Sequence, residues 1–296
     1  MAIPENQLET WSHQGSVTQS SSTYQSLKSV LEASTTPYAN RRYKSFLQGS
    51  YGNSTNIWAD SDVDIVMQTD SVFYKDIREL PPRDLELYNA TFSSADYTYA
   101  DFKHDVFKVL QAKYGNLVEV GKKAIFVVGN ENRRDVDVLV ASQFRKYWRF
   151  RGMSDQSYIE GLCFWDSSGN QIINYPKLHS SNCVTKHANT NQWFKPTVRI
   201  FKNIRNRMVQ DDFIAAGLAP SYFVEGMLYN VPANHFGTSY QDSVVGCINW
   251  LLGSDKTKLV CANEQYVLLH PTSPVTWRTE EFDAFLSAVV QFWKEW

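Results

Sequence analysis

Two aspartates two residues apart, Asp62 and Asp64, begin a run that continues Ile65-Val66-Met67. Side chains on a β-strand alternate faces, so the two carboxylates share one face, about 7 Å apart along the backbone, while Val63 and Ile65 point to the other. Carboxylates held together in this way repel each other unless a cation lies between them. An all-oxygen site suits a hard divalent ion, above all Mg²⁺, which shares its shell with substrate phosphates. Upstream, Phe46-Leu47-Gln48 leads into Gly49-Ser50. Glycine has no Cβ to block an anion, so Gly49 and the Ser50 hydroxyl suit a turn that grips phosphate. The eleven residues between Ser50 and Asp62 read as a polar, turn-rich linker.

A second pair, Asp135 and Asp137, lies in Arg133-Arg134-Asp135-Val136-Asp137-Val138-Leu139-Val140-Ala141. These two also share a strand face, and spacing does not choose between them as a third ligand. An ion pair with Arg133 or Arg134 is the competing use of such an aspartate, and it suits Asp135 better.

The elements that must position these groups follow from periodicity. Ser21, Ser22 or Thr23 caps a helix reaching about Ala33, with Tyr24, Leu27, Val30 and Leu31 as its apolar stripe. Strands are expected over 43–48, 62–67, 117–120, 124–128, 136–140 and 161–165, with a hairpin turn over 166–170. A helix over 99–113 ends at Tyr114-Gly115-Asn116. Pro176 ends a strand, and Ser180 or Ser181 starts a helix towards His187. Near that start, Lys177, His179 and Asn182 either face a nucleotide or cap a junction between lobes. A helix from Thr197 to about Val209 carries an apolar face (Val198, Phe201, Ile204, Met208) and a basic one (Arg199, Lys202, Arg205, Arg207). Further helices are expected over 223–229, 242–252 and 280–296, with a short strand over 266–269.

With 296 residues the chain is long enough for two lobes. Hydrophobic residues make up 43% and charged residues 20%, as in an ordinary globular protein, and the formal net charge of −2 argues against a duplex-binding protein. Cys163, Cys183, Cys247 and Cys261 show no CxxC and no His at ligand spacing, so reduced thiols of a cytoplasmic protein are expected rather than disulfides or a zinc site. The N-terminus lacks the pattern of a signal peptide, and no apolar run has the length of a membrane helix.

The Gly-Ser turn followed at this distance by Asp-x-Asp resembles the signature of the polymerase-β-like nucleotidyltransferase superfamily. The run Leu47-Gln-Gly-Ser-Tyr51, with Thr55-Asn-Ile57 and Asp60-Ser-Asp-Val-Asp-Ile-Val66, resembles the CD-NTases, bacterial relatives of cyclic GMP-AMP synthase and the oligoadenylate synthases. Asn174-Tyr-Pro-Lys177, Arg199-Ile-Phe-Lys202 and Pro220-Ser-Tyr-Phe-Val-Glu225 continue the likeness over roughly residues 20–230. It favours Asp137 over Asp135, because the family typically shows Asp-Val-x-x-Ala there. Val140 stands where Pro is usual.

The resemblance implies an α+β, two-lobed fold: a mixed β-sheet catalytic lobe (1–190, its N-terminal helix packing across both lobes) and a helical, oligoadenylate-synthase-like lobe (191–296). It implies metal binding by Asp62, Asp64 and Asp137, which would hold two Mg²⁺ ions, with Mn²⁺ as a substitute. Gly49 and Ser50 would contact the donor phosphates, Lys202 would neutralise the triphosphate, Ser221 would hydrogen-bond a phosphate and Tyr222 would stack on a base. The implied activity joins nucleoside triphosphates into a cyclic di- or trinucleotide with release of pyrophosphate, in antiphage signalling of the CBASS type. The effector protein would be reached only through the product. A monomer with no membrane and no nucleic-acid activator is expected. Two other functions compete: a transferase making linear oligonucleotides or modifying RNA or a small molecule, and an inactive nucleotide-binding sensor or scaffold.

Overall fold

The structure is a computed structural model describing residues 2–15, 17–58 and 62–296. In chain order the elements are α1 (Glu5–Ser12), α2 (Thr18–Leu31), β1 (Tyr43–Leu47), α3 (Gly49–Asn53), β2 (Val63–Asp76), α4 (Pro82–Thr91), α5 (Tyr99–Tyr114), β3 (Val118–Val120), β4 (Ile125–Val127), β5 (Val136–Phe150), β6 (Gln156–Trp165), β7 (Gln171–Asn174), α6 (Pro176–Asn189), α7 (Phe194–Gln210), α8 (Ser221–Tyr229), α9 (Tyr240–Gly253) and α10 (Thr279–Glu295).

They form two compact units. One holds the sheet with α2, α4 and α5, and the other holds α1, α3 and α6–α10. The chain passes between them at Tyr175/Pro176, whereas the sequence suggested 190/191. The cause is α6, which begins at Pro176 rather than at Ser180 or Ser181. Proline is tolerated in a first helical turn, where its missing N–H is not needed. The early helix is two: α1 belongs to the helical unit and α2 to the sheet unit.

In the sheet unit the strand order is β1-β2-β5-β4-β3, and β6 pairs with β5 and β7. Strands β2 and β5 run parallel and the other pairs antiparallel. Both central strands are far longer than the apolar runs that announced them. β2 crosses a register shift between Thr69 and Phe73, and the second half of β5 pairs with β6. Gln68, Thr69, Ser142 and Gln143 are buried in these extensions, where pairing on both sides satisfies the backbone despite polar side chains. Helix α5 starts on a capping box, in which Thr98 accepts from the Asp101 N–H and the Asp101 carboxylate accepts from Thr98. It ends as expected at Gly115, at φ 59°. Its Phe102, Val106 and Leu110 are fully buried, as are Leu27 and Leu31 of α2.

In the helical unit, Phe194, Val198, Phe201, Ile204 and Met208 of α7 form a buried stripe with Val224, Met227 and Leu228 of α8 and Phe282, Phe285 and Val289 of α10. The expected strand at 266–269 is reduced to isolated bridges, Val260 with Val267 and Leu269 with Trp277. All four cysteines are buried and free, in line with the expectation of reduced thiols. Among the described residues no helix is long and apolar enough to cross a membrane.

The segment after α3 is not a solvated linker. Asn53, Thr55, Asn56 and Ile57 are buried. Gly15 donates its N–H to Asn56 O at 3.1 Å, and Asn56 Nδ2 returns a 3.1 Å bond to Gly15 O. A Cβ on Gly15 would lie 2.5 Å from the Ile57 carbonyl, against backbone that has nowhere to move. Gly15→Ala should therefore lower stability by about 1–3 kcal/mol, the cost of overpacking, in chemical denaturation of the purified protein. An unchanged midpoint would mean that the two segments are not held against each other.

Candidate active site

In the sheet unit the parallel register pairs Asp64 with Asp137 and Val63 with Val136. Residues paired across adjacent strands project to the same face, so the two half-buried carboxylates stand side by side. Asp62 precedes β2 by one residue and is exposed. Burial first, then the negative charges of Asp62 and Asp135, hold the Asp137 carboxyl above the ordinary carboxylate range. Desolvated, mutually repelling oxygens of this kind are the donor set that a hard divalent cation would stabilise.

Asp135 is engaged differently. Its Oδ1 accepts the Gly129 N–H at 2.6 Å, holding the turn between β4 and β5. Arg133 donates to Val128 O and lies over the Tyr114 ring at 4.3 Å. Asp135→Ala should cost about 1.5–3 kcal/mol of stability, the range for a bond to a charged group, and reduce turnover much less than Asp137→Ala does. Parallel melting curves and product assays check this, and the reverse order of activity loss would place the third carboxylate two residues earlier.

In the helical unit, Gly49 is exposed at φ 64°, a left-handed conformation that favours glycine, and Ser50 follows it half-buried. The Thr55 N–H donates to Ser50 O at 2.9 Å, closing the turn on itself. Arg205 donates to Ser221 Oγ at 3.1 Å and to Ala219 O at 2.9 Å at the start of α8.

The family cGAS/DncV-like nucleotidyltransferase C-terminal helical domain matches residues 181–294. Over 298 residues the chain is 40% identical to a cyclic UMP-AMP synthase of Rhodothermus marinus, covering 100% of this chain and 99% of that one. It is 36% identical over 303 residues to the cyclic nucleotide synthase CdnE01 of Staphylococcus haemolyticus, covering 100% of each. The chain belongs to the CD-NTases. The solved Rhodothermus marinus CdnE c-UMP-AMP synthase with Apcpp and Upnpp superposes at a TM-score of 0.89, with 39% identity, over 99% of this chain and 97% of that one. An Elizabethkingia meningoseptica CdnE cyclic dinucleotide synthase with GTP and Apcpp does so at 0.76, with 29% identity, over 99% and 98%. This CD-NTase is thus a nucleotidyltransferase, and its polymerase-β-like fold with a helical C-terminal domain agrees with the fold expected from sequence.

Several residues expected at the substrate are engaged by other groups of this CD-NTase. Lys202 is fully buried, not on a solvated helix face, and its Nζ donates to Thr55 O at 2.9 Å. Its neighbours on α7 behave alike: Arg199 donates to Ser12 O and to Ser54 O, the latter at 2.8 Å. Arg199 and Lys202 are thus turned onto backbone carbonyls, whereas Arg207, at the far end of the same face, is exposed and pairs with Asp211 at 2.7 Å. His179 is buried, and its Nε2 lies 2.6 Å from Glu225 Oε2. Asn182 donates to Ala262 O at 2.8 Å. The Tyr222 ring stacks on His179 with centroids 4.7 Å apart, and its hydroxyl accepts from Asn263 at 2.9 Å. One ring face is therefore covered by imidazole. Lys177 is exposed at the start of α6.

Sequence reasoning passed over Glu225, Thr55 and Asn53. Glu225 receives Asn53 Nδ2 at 2.8 Å, the Thr55 hydroxyl and His179 Nε2. Burial pushes its carboxyl up, yet the hydrogen bond and charge of His179, the Thr55 hydroxyl and the Lys202 charge together hold it below the ordinary range. An acid inside an otherwise apolar α8 pattern was the available signal, since a buried charge requires partners. His179 and Cys183 lie one turn apart on α6, contrary to the expectation that no His and Cys stand at ligand spacing, and with Glu225 their ligand atoms come within 4.8 Å. A metal ion is disfavoured there. The Glu225 oxygens already serve three donors and the Lys202 charge is close.

Proposed function

We propose that the chain is a divalent-metal-dependent synthase that joins two or three nucleoside triphosphates into a cyclic nucleotide with release of pyrophosphate. The in-register pairing of Asp64 with Asp137, with Asp62 just before β2, is the observation that carries this reading. Asp62, Asp64 and Asp137 would hold two ions, Mg²⁺ or Mn²⁺, which lower the pKa of an attacking ribose hydroxyl and neutralise the departing pyrophosphate. Asp137 is the carboxylate that would also accept the proton of that hydroxyl. The exposed Gly49 and adjacent Ser50 grip the donor phosphates, with Ser221 and Lys177 as further phosphate contacts and Tyr222 against a base. Lys202, buried with its Nζ 2.9 Å from Thr55 O, would support the segment that follows the Gly49-Ser50 turn.

Likeness to the Rhodothermus enzyme supports UTP and ATP as the first substrates to test. Membership of the family supports a role in antiphage signalling, the product acting as messenger to an effector protein. The near-neutral charge argues against activation by nucleic acid.

Incubation with the four α-labelled ribonucleoside triphosphates and Mg²⁺, followed by phosphatase, tests the reading. Phosphatase-resistant label that disappears with a chelator is the expected result. Label that phosphatase releases is unreacted triphosphate or a terminal phosphate; a resistant species that a 3′ exonuclease still degrades would indicate a linear product, and no new labelled species at all would indicate a nucleotide-binding protein without synthase activity.

A further inference from the structure

Thr55 is fully buried and uses each of its polar atoms for a different purpose. Its hydroxyl donates to Glu225, its N–H donates to Ser50 O at 2.9 Å, and its carbonyl accepts from Lys202 at 2.9 Å. Two residues earlier, Asn53 donates to the same Glu225 carboxylate at 2.8 Å. His179 Nε2 lies 2.6 Å from the same carboxylate, and its own ring is stacked against Tyr222. One buried anion on α8 therefore collects donors from the segment after α3 and from α6, and Lys202 brings in α7. Through the Thr55 N–H the cluster is bonded to the Gly49-Ser50 turn, where Gly49 is exposed.

A buried carboxylate is costly unless paired and fully hydrogen-bonded, so an arrangement this complete is maintained against a desolvation penalty. Stability alone does not require it, because a well-packed apolar cluster would serve as well or better. What it supplies is geometry. A threonine whose three polar atoms are all committed cannot shift without breaking several bonds, and the turn bonded to it inherits that position. Groups that hold a catalytic or binding constellation must be fixed within a fraction of an ångström.

We propose that Glu225 is a positioning residue for phosphate binding: through Thr55 it fixes the backbone of the Gly49-Ser50 turn in the arrangement that receives a nucleoside triphosphate. This rests on the reading of Ser50 as a phosphate contact. Lys202 and His179 act in the same device, one holding the Thr55 carbonyl and the other completing the Glu225 shell.

The test uses equilibrium binding of Apcpp and of Upnpp to the full chain, below the melting temperature of every variant. Thr55→Val keeps the shape of the side chain and removes the donor; Thr55→Ser keeps the donor and removes a methyl group. Thr55→Val should weaken the tighter-binding analogue by about tenfold, the loss of one hydrogen bond to a charged group, and Thr55→Ser should recover most of that loss. Ser50→Ala should weaken binding by itself. Combined with Thr55→Val, it should add much less than its own effect, because both changes remove one positioned contact. Tighter coupling of melting temperature than of affinity to the Thr55 hydroxyl, with affinity unmoved in Thr55→Val, would make the cluster structural only and overturn the proposal. Fully additive losses would overturn it too. If Ser50→Ala leaves affinity unchanged, or the parent protein binds neither analogue, the reading of the phosphate turn fails and this inference fails with it. Because Glu225→Ala removes a buried anion and endangers folding, Glu225→Gln is the companion variant. It should weaken binding at least as much as Thr55→Val, and equal affinity to the parent would overturn the role of the charge.

Discussion

Asp137→Asn should abolish cyclic product formation and leave the metal-free protein at least as stable as its parent. The expected loss of rate is on the order of a thousandfold or more, because the interactions of a bound cation with developing charge contribute several kcal/mol to the transition state. The stability half follows from the raised carboxyl pKa. A carboxyl that is harder to ionise in the fold than in the unfolded chain lowers stability once ionised. That cost is absent below the unfolded value, grows as pH rises through the folded value, and is fully present at neutral pH. Asparagine keeps the shape and removes the charge, so the cost disappears. Thermal melts at pH 5 and pH 7.5 in chelator should show the parent losing stability towards the higher pH relative to the variant, while the product assay is blank. Appreciable product from Asp137→Asn, or a variant markedly less stable than the parent at neutral pH, would mean that Asp137 is a structural carboxylate.

Lys202→Ala should destabilise the protein in the absence of nucleotide by about 3–5 kcal/mol, the cost of removing one partner from a buried charged pair. Three losses combine. The four-carbon stem leaves a cavity within the helical core, the Thr55 carbonyl loses its donor, and the Glu225 carboxylate loses a neighbouring positive charge. A lysine on a solvated helix face would behave otherwise, changing nucleotide affinity and leaving the apo protein almost as stable as before. Chemical denaturation without ligand separates the two. A shift within a few tenths of a kcal/mol would show that the side chain is exposed in solution and available to the triphosphate. Lys202→Met should recover the packing contribution but not the polar one, and so fall between the parent and Lys202→Ala.

What the amino-acid sequence determined alone is what depends on near neighbours. Alternation in Val63-Asp64-Ile65 places the Asp64 carboxylate on the face opposite Val63 and Ile65, which are buried. The 3.6-residue spacing of Phe102, Val106, Phe107 and Leu110, or of Val198, Phe201, Ile204 and Met208, predicts which helix face is buried, and all of these but the half-buried Phe107 are buried. Gly115 ends α5 where its conformational freedom says it should. The motif pairing Gly49-Ser50 with Asp62 and Asp64 was enough to indicate the family.

Tertiary structure decided everything that turns on which distant group a polar atom meets. Spacing left Asp135 and Asp137 equivalent; the strand register set Asp137 beside Asp64, and a turn at Gly129 engaged Asp135. On sequence alone the basic face of α7 puts Lys202 at the triphosphate, because an isolated amphipathic helix leaves its charges free to reach a ligand. Here Arg199 and Lys202 instead meet the carbonyls of Ser54 and Thr55, about 145 residues away in sequence. Asn53, Thr55 and Asn56 read as linker for the same reason: their polarity is local information, and their burial depends on Glu225 and Gly15 being there to receive them. A buried polar group is stable only if its partners are supplied, and no periodicity in the chain records where those partners come from.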